Sequence, residues 1–362
     1  MTRGATGKTA WAPLAPVLLA PLAPLYLALV ALRLAAYRVG LLRARRAAGP
    51  VISVGNLTVG GSGKTPLAEY LLREAARAGL RPALLSRGYG RRGRSHVARV
   101  RLEEGTLADP VALGDEPAML ARRNPAVPVY VGRNRFLCAR AAAILDAPDL
   151  YVLDDGYQHL RLARDLNVLL IDAERGLGNG RMLPWGPLRE PLSAIARADV
   201  VLLAKANLGD PEALLRRLGG LGVKAPVFRC DFLPARLVRL DGAATLPPAA
   251  LAAVQVSLLC GIAQPRGFVR AVEGLGARVG TVVAHRDHYP YPAGDLPGLE
   301  ARLAAAAPDR PEWVTTAKDA VKLAGRLAAA DRLWVLEMEA VPEPAAREFF
   351  FDYLRRLKLK SS

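Results

Sequence analysis

The sequence predicts an α/β protein: a lobe built on a parallel sheet, a second and smaller α/β lobe, and a membrane-associated helix ahead of both. Three observations carry this. Short β-branched runs alternate with helical stretches from residue 51 onward, the pattern of strands joined by crossover helices. The alternation breaks at a Pro/Ala-rich stretch, residues 245–250, and then resumes. Residues 9–32 carry no charge, and arginines follow at 33, 38, 43, 45 and 46. The 362 residues leave room for two domains of ordinary size. The expected divisions are 1–49, 50–243 and 244–362.

Taken in order, the N-terminal segment comes first. Prolines at 13, 16, 21 and 24 break the charge-free run, so a clean helix is expected only from about residue 24, running to about Arg46. An apolar stretch followed by a basic face suits a helix lying shallowly in the cytoplasmic leaflet, its arginines reaching lipid phosphates. A cleaved signal peptide and a full membrane span are the competing readings. The net charge of +17 asks for an anionic partner. Residues 1–50 and 81–101 each hold seven Lys/Arg and no acid. No zinc-finger spacing or RNP aromatics accompany them, so no nucleic acid is expected. A membrane surface or an anionic substrate is preferred, and no obligate protein partner is evident. Cys138, Cys230 and Cys260 lie far apart, which argues against a zinc ribbon or a disulfide scaffold.

In the first lobe, strands are expected over 51–54, 82–86, 127–131, 151–154, 168–172 and 199–204, with helices over 65–78 and 134–145. In the second, strands are expected over 254–260, 277–284, 313–316 and 333–338, with helices over 266–275 and 319–329. A basic C-terminal helix ends the chain.

The first strand runs into Gly60-Gly61-Ser62-Gly63-Lys64-Thr65, which opens a helix. That is the context of a P-loop. Glycines at 60, 61 and 63 and Ser62 let backbone N–H groups turn toward phosphate oxygens. Lys64 reaches the β/γ-phosphates, and the Thr65 hydroxyl is placed to bind Mg²⁺. Thr58 stands where the strict pattern has its first glycine. Gly4–Thr9 has similar letters but no preceding strand, and is read as chance. Asp154 and Asp155 end an apolar strand, the position of the acids that hold the Mg²⁺ shell in a P-loop protein.

Asp115, in Gly114-Asp115-Glu116-Pro117, is a candidate catalytic carboxylate with a helix N-cap as its alternative. Asp287-His288 follows a strand of the second lobe. Carboxylate plus imidazole makes a general-base pair able to activate a hydroxyl. Lys318, in Thr316-Ala317-Lys318-Asp319, either faces phosphates across the cleft or is solvated. Arg189-Glu190 closes a proline-rich loop over 183–191, a cleft wall. A membrane-associated ATPase acting on a protein partner would share the P-loop and the acids. Ala204-Lys205-Ala206-Asn207 lacks the aspartate of a guanine-reading motif.

These motifs occur in one order, together with Ser86-Arg87-Gly88-Tyr89-Gly90, Asp154-Asp155-Gly156-Tyr157-Gln158-His159, Leu188-Arg189-Glu190-Pro191 and Gly261-Ile262-Ala263-Gln264-Pro265. In this the chain closely resembles the tetraacyldisaccharide 4'-kinases of Gram-negative bacteria, over about residues 14–355. The resemblance implies transfer of the ATP γ-phosphate to the 4'-hydroxyl of a tetraacyldisaccharide 1-phosphate, giving lipid IVA in lipid A biosynthesis. It implies Mg²⁺ dependence and a monotopic enzyme on the cytoplasmic face of the inner membrane. By the same resemblance Asp115 is the catalytic base and His288 its dyad partner, while Lys64 and Thr65 hold phosphate and Mg²⁺. Asp154 and Asp155 are the metal-binding acids, and Tyr89, His159, Arg189 and Glu190 line the nucleotide and substrate cleft. The chain departs from the family pattern at Ala284-His285-Arg286 and at Ala317, where glutamate is frequent.

Overall fold

The computed structural model of the chain describes residues 22–93, 95–100 and 108–361. The proline-broken stretch before residue 22 and the Gly4–Thr9 run lie outside the described residues. The strands are β1 (Val51–Asn56), β2 (Pro82–Ser86), β3 (Ala98–Val100), β4 (Val129–Val131), β5 (Leu150–Leu153), β6 (Leu166–Asp172), β7 (Val200–Ala204), β8 (Val227–Arg239), β9 (Thr245–Leu246), β10 (Gln255–Cys260), β11 (Arg278–Ala284), β12 (Trp313–Thr316) and β13 (Trp334–Pro342). Among the described residues they form one continuous sheet in the order β11-β10-β12-β13-β8-β7-β6-β1-β5-β2-β4-β3, with β9 beside β8. The phosphate-loop strand β1 lies between β5 and β6 and pairs in parallel with both. Every residue of β1, β5 and β6 is buried, as expected of parallel strands covered on both faces.

The two sets of strands meet where β13 runs antiparallel to β8. β8 is a strand of 13 residues that sequence reading passes over. Pro234 interrupts it, and it mixes charges with half-buried positions, so neither a strand nor a helix period stands out. Within the Pro/Ala-rich stretch 245–250, Thr245 and Leu246 pair with β8, and the chain then enters a short 3₁₀ turn, Pro248–Leu251, that buries Leu251.

The helix Lys64–Arg77 buries Leu67, Ala68, Leu71, Leu72 and Ala75 against the sheet. The C-terminal helix Pro344–Ser361 packs on it, with Phe350 fully buried and its ring 6.3 Å from that of Tyr70. The N-terminal helix spans Leu22–Arg38 and ends earlier than the expected Arg46. Gly40, at φ +78°, turns the chain away from it. Arg45 then makes a β-bridge to Leu162. Among the described residues no helix is long and apolar enough to cross a membrane. The helix expected over 319–329 spans Ala317–Leu323, followed by Gly325 at φ +72°.

Candidate active site

The phosphate loop is fixed from both sides. Asn56, fully buried at the end of β1, donates its side-chain amide to the Thr58 carbonyl at 2.8 Å. Gly63 holds φ +82°, and a Cβ there would meet the Phe232 ring at 1.6 Å. Only glycine satisfies both conditions. Thr65 is buried at the start of the helix, and Lys64 points its ammonium to within 3.6 Å of Asp155 Oδ1.

The adjacent acids Asp154 and Asp155 have opposite surroundings. Asp154 is buried at the end of β5, and its Oδ1 has no hydrogen-bond partner. Burial pushes its carboxyl up, and the nearby Glu116 and Asp155 push it further. Asp155 sits at φ +49° and accepts Arg189 Nη1 on both oxygens, at 3.1 and 3.2 Å. Burial would raise it as well, but Lys64, Arg189 and Arg135 outweigh burial and hold it below the ordinary value. An orphaned, buried carboxyl oxygen at the end of the strand next to the phosphate-loop strand fits a divalent cation. No group of three or more His, Cys, Asp or Glu could hold a metal among the described residues. Carboxyl oxygen donors at a phosphate loop fit Mg²⁺, which takes one or two carboxylates and completes its shell with phosphate and water.

The second centre is assembled from distant segments. Gly114, at φ +94°, lets the Tyr89 carbonyl pass 2.8 Å from where a Cβ would stand, and the helix Asp115–Arg123 starts immediately after it. That helix is anchored by Arg123, which pairs with Glu69 at 3.0 Å and with Glu337 of β13 at 3.7 Å. It packs against the helix Ala317–Leu323. Asp115 Oδ2 lies 3.0 Å from His288 Nδ1, across 173 residues of sequence. Lys322 Nζ stands 3.4 Å from the same oxygen and 3.0 Å from the fully buried Asp319. Burial of Asp115 acts to raise its carboxyl, but the His288 hydrogen bond and Lys322 reverse this, and the net displacement is downward. Lys318 Nζ lies 3.0 Å from His288 Nε2 and 3.1 Å from Asp287 Oδ1. The exposed Tyr89 ring is 5.5 Å from the imidazole.

The remaining predicted residues form the wall beneath the N-terminal helix. Tyr26 donates its hydroxyl to the Arg189 carbonyl at 2.9 Å, and Arg33 donates to the Gln158 carbonyl at 2.7 Å. Glu190 is buried and paired with Arg197, whose guanidinium lies over the Tyr157 ring. His159 sits among Arg135, Arg164 and Arg33, and its Nε2 is buried without a partner. Burial first, and then those arginines, push its imidazole down to about 3, so it is neutral at physiological pH. Sequence reading missed Lys322, Asp319, Glu116 and the Lys205–Asp172 pair, in which Lys205 Nζ also reaches the Gly61 carbonyl at 3.1 Å. One available signal was spacing: Lys322 stands one helical turn after Lys318, on the same face.

The P-loop, the paired acids and the Asp–His contact now stand in one arrangement. The family model for tetraacyldisaccharide-1-P 4'-kinase (LpxK) matches residues 15–355. The chain belongs to this family. A tetraacyldisaccharide 4'-kinase of Anaeromyxobacter dehalogenans strain 2CP-C is 47% identical over 334 residues, covering 90% of this chain and 86% of the relative. Another, from Syntrophus aciditrophicus, is 37% identical over 343 residues, covering 90% of each. The solved LpxK of Aquifex aeolicus, described as an "apo" form in complex with ATP, has a TM-score of 0.76 and 30% identity. It covers 95% of this chain and 99% of that one. The fold is accordingly that of this P-loop kinase family.

Proposed function

We propose that this member of the 4'-kinase family transfers the γ-phosphate of ATP to the 4'-hydroxyl of a tetraacyldisaccharide 1-phosphate, with Asp115 as proton acceptor. The observation that carries the reading is the Asp115–His288 contact at 3.0 Å. It is made between segments 173 residues apart, and Glu116, next to Asp115, acts electrostatically on Asp154 at the end of β5.

The groups divide the work. Lys64, the N–H groups of Gly60, Gly61, Ser62 and Gly63, and the helix N-terminus at Thr65 bind and orient the phosphates. Thr65 and Asp154, with Asp155 beside them, would hold Mg²⁺, which when bound offsets charge on the phosphate oxygens. Asp155 stays ionised between Lys64 and Arg189 and keeps both cations aimed at the cleft. Asp115 is ionised across the working range, and it accepts the proton as the sugar oxygen attacks in line. His288 orients that carboxylate. Tyr89, His159, Arg189 and Glu190 line the approach: Tyr89 beside the dyad, the other three under the N-terminal helix.

The substrate is an anionic amphiphile, and the N-terminal helix suits its surface. It exposes Leu25, Leu29 and Leu32, followed by Val39 and Leu41, beside Arg33, Arg38, Arg43 and Arg46. That combination supports peripheral attachment to the cytoplasmic face of the inner membrane.

The test is incubation of the purified protein with γ-labelled ATP, Mg²⁺ and tetraacyldisaccharide 1-phosphate in detergent, followed by lipid separation. Label on the disaccharide is the expected result. Release of inorganic phosphate alone, with intact lipid and folded protein, would refute it in favour of an ATPase.

A further inference from the structure

His288 has a polar partner at each ring nitrogen, and together these decide where its hydrogen sits. Nδ1 faces the Asp115 carboxylate at 3.0 Å, and Nε2 faces the Lys318 ammonium at 3.0 Å. A carboxylate only accepts and an ammonium only donates. The ammonium is itself held by Asp287 Oδ1 at 3.1 Å. A ring nitrogen that accepts from an ammonium cannot carry a hydrogen of its own. The hydrogen is therefore on Nδ1, donated to Asp115, and the imidazolium form is incompatible with the Lys318 contact.

The other groups around the ring agree. Lys322 adds a second positive charge 3.4 Å from Asp115 Oδ2. Asp287 Oδ2 is 3.9 Å from Nε2, but Lys318 lies closer to both. The Tyr89 ring flanks the imidazole at 5.5 Å between centroids and contributes no charge. His288 is at φ +58°, a left-handed conformation that a non-glycine residue adopts at a cost. Its backbone N–H donates to the Gly261 carbonyl at 3.1 Å and to Asp287 Oδ1 at 3.0 Å. The turn thus aims one nitrogen at each helix. Lys318 and Lys322 come from one face of the helix Ala317–Leu323, whose start is capped by the Thr316 hydroxyl accepting from the Asp319 backbone N–H at 3.2 Å and donating to the Asp319 carboxylate at 2.7 Å.

We infer that Lys318 is a positioning residue that fixes His288 as the neutral Nδ1–H tautomer, leaving Asp115 as the only proton acceptor of the dyad. The inference rests on the dyad reading above for its catalytic meaning, but the tautomer itself is a property of the resting protein. With Lys318 in place, Nε2 is occupied and takes no proton from the sugar hydroxyl. The Nδ1–H hydrogen bond to Asp115 Oδ2 leaves Oδ1 as the carboxylate oxygen open to the substrate.

The test uses the full chain with ¹⁵N-labelled histidine. Two-bond ¹H–¹⁵N correlation spectra report the state of both ring nitrogens, and Asp115-independent assignment of the His288 signals comes from His288→Gln. The expected wild-type pattern is a protonated Nδ1 and an accepting Nε2. Lys318→Met is expected to turn this into a tautomer mixture or an imidazolium. It should also lower kcat by roughly 10- to 100-fold, the range seen when a group that orients a functional side chain is lost, with KM for ATP unchanged. Lys318→Arg, which keeps a donor, should restore the tautomer and most of kcat. An Nε2–H tautomer in the wild type would overturn the inference. So would an unchanged His288 pattern in Lys318→Met together with a raised KM for ATP or lipid, which would make Lys318 a phosphate ligand. If the tautomer is as inferred but Asp115→Ala keeps full turnover, the dyad reading fails and the tautomer assignment stands.

Discussion

The carboxylates of Asp154 and Asp115 are both largely withdrawn from water, yet their surroundings pull them in opposite directions. Asp154 has an oxygen without a partner, with Glu116 and Asp155 as its acidic neighbours, and its carboxyl is pushed up. Asp115 has His288 at 3.0 Å and Lys322 at 3.4 Å, and its carboxyl is held down. The first is a site short of positive charge, and the second already has a hydrogen-bond donor and an ammonium built in. One environment suits an ion that arrives with the nucleotide, and the other suits a base that must stay ionised. Chemistry here follows from neighbours rather than from residue type.

The largest expected effect breaks the comparison on the Asp115 side. Asp115→Ala should lower kcat by about 10²–10⁴-fold, the range for a lost general base, while ATP affinity measured by calorimetry stays within about tenfold. A matching loss of ATP affinity would place Asp115 with the phosphate loop instead. Gly63→Ala should come next. The new methyl meets the Phe232 ring and a strained φ at once, so a loss of about 2–4 kcal/mol in chemical denaturation is expected, together with loss of nucleotide binding.

Asp154→Asn sharpens the comparison by separating stability from activity. A carboxyl raised by folding binds protons more tightly in the native state. Its ionised form therefore costs stability as pH rises from the unfolded value through the folded one. Removing the charge should stabilise the metal-free protein by about 1–3 kcal/mol near pH 8 and leave little effect near pH 3, while Mg²⁺-dependent turnover falls. A drop in Tm at pH 8 would show that Asp154 is satisfied by the protein itself. The same substitution at Asp155 should destabilise, because its charge is paired with Lys64 and Arg189. The smallest effect belongs to the N-terminal helix. Tyr26→Phe removes one hydrogen bond to the Arg189 carbonyl, worth about 1 kcal/mol, and should show as a modest rise in KM for the lipid with ATP KM unchanged.

The two centres also differ in how far the sequence discloses them. The phosphate loop and the acids at 154–155 are contiguous motifs flanked by periodic elements, so spacing alone places them at strand ends. The dyad joins residues 173 positions apart. Its members are nameable one by one, but their contact depends on the long strand β8 and its antiparallel pairing with β13, which Pro234 and mixed polarity conceal. Lys318 illustrates the same limit. Read as a sequence it faces phosphate or solvent with equal ease, and only the helix Ala317–Leu323 packed against the helix Asp115–Arg123 sets it on an imidazole. The N-terminal helix ends at Arg38 rather than near the expected Arg46, because Gly40 turns the chain.

The central claim is that Asp115 and His288, brought together across the cleft, act as one unit. A double-mutant cycle in the labelled-ATP assay tests it most directly, using Asp115→Ala, His288→Ala and the double variant. Groups acting as a unit are not additive. The account predicts that the double variant is about as slow as the slower single variant. A double variant whose loss in kcat equals the product of the two single losses would contradict it.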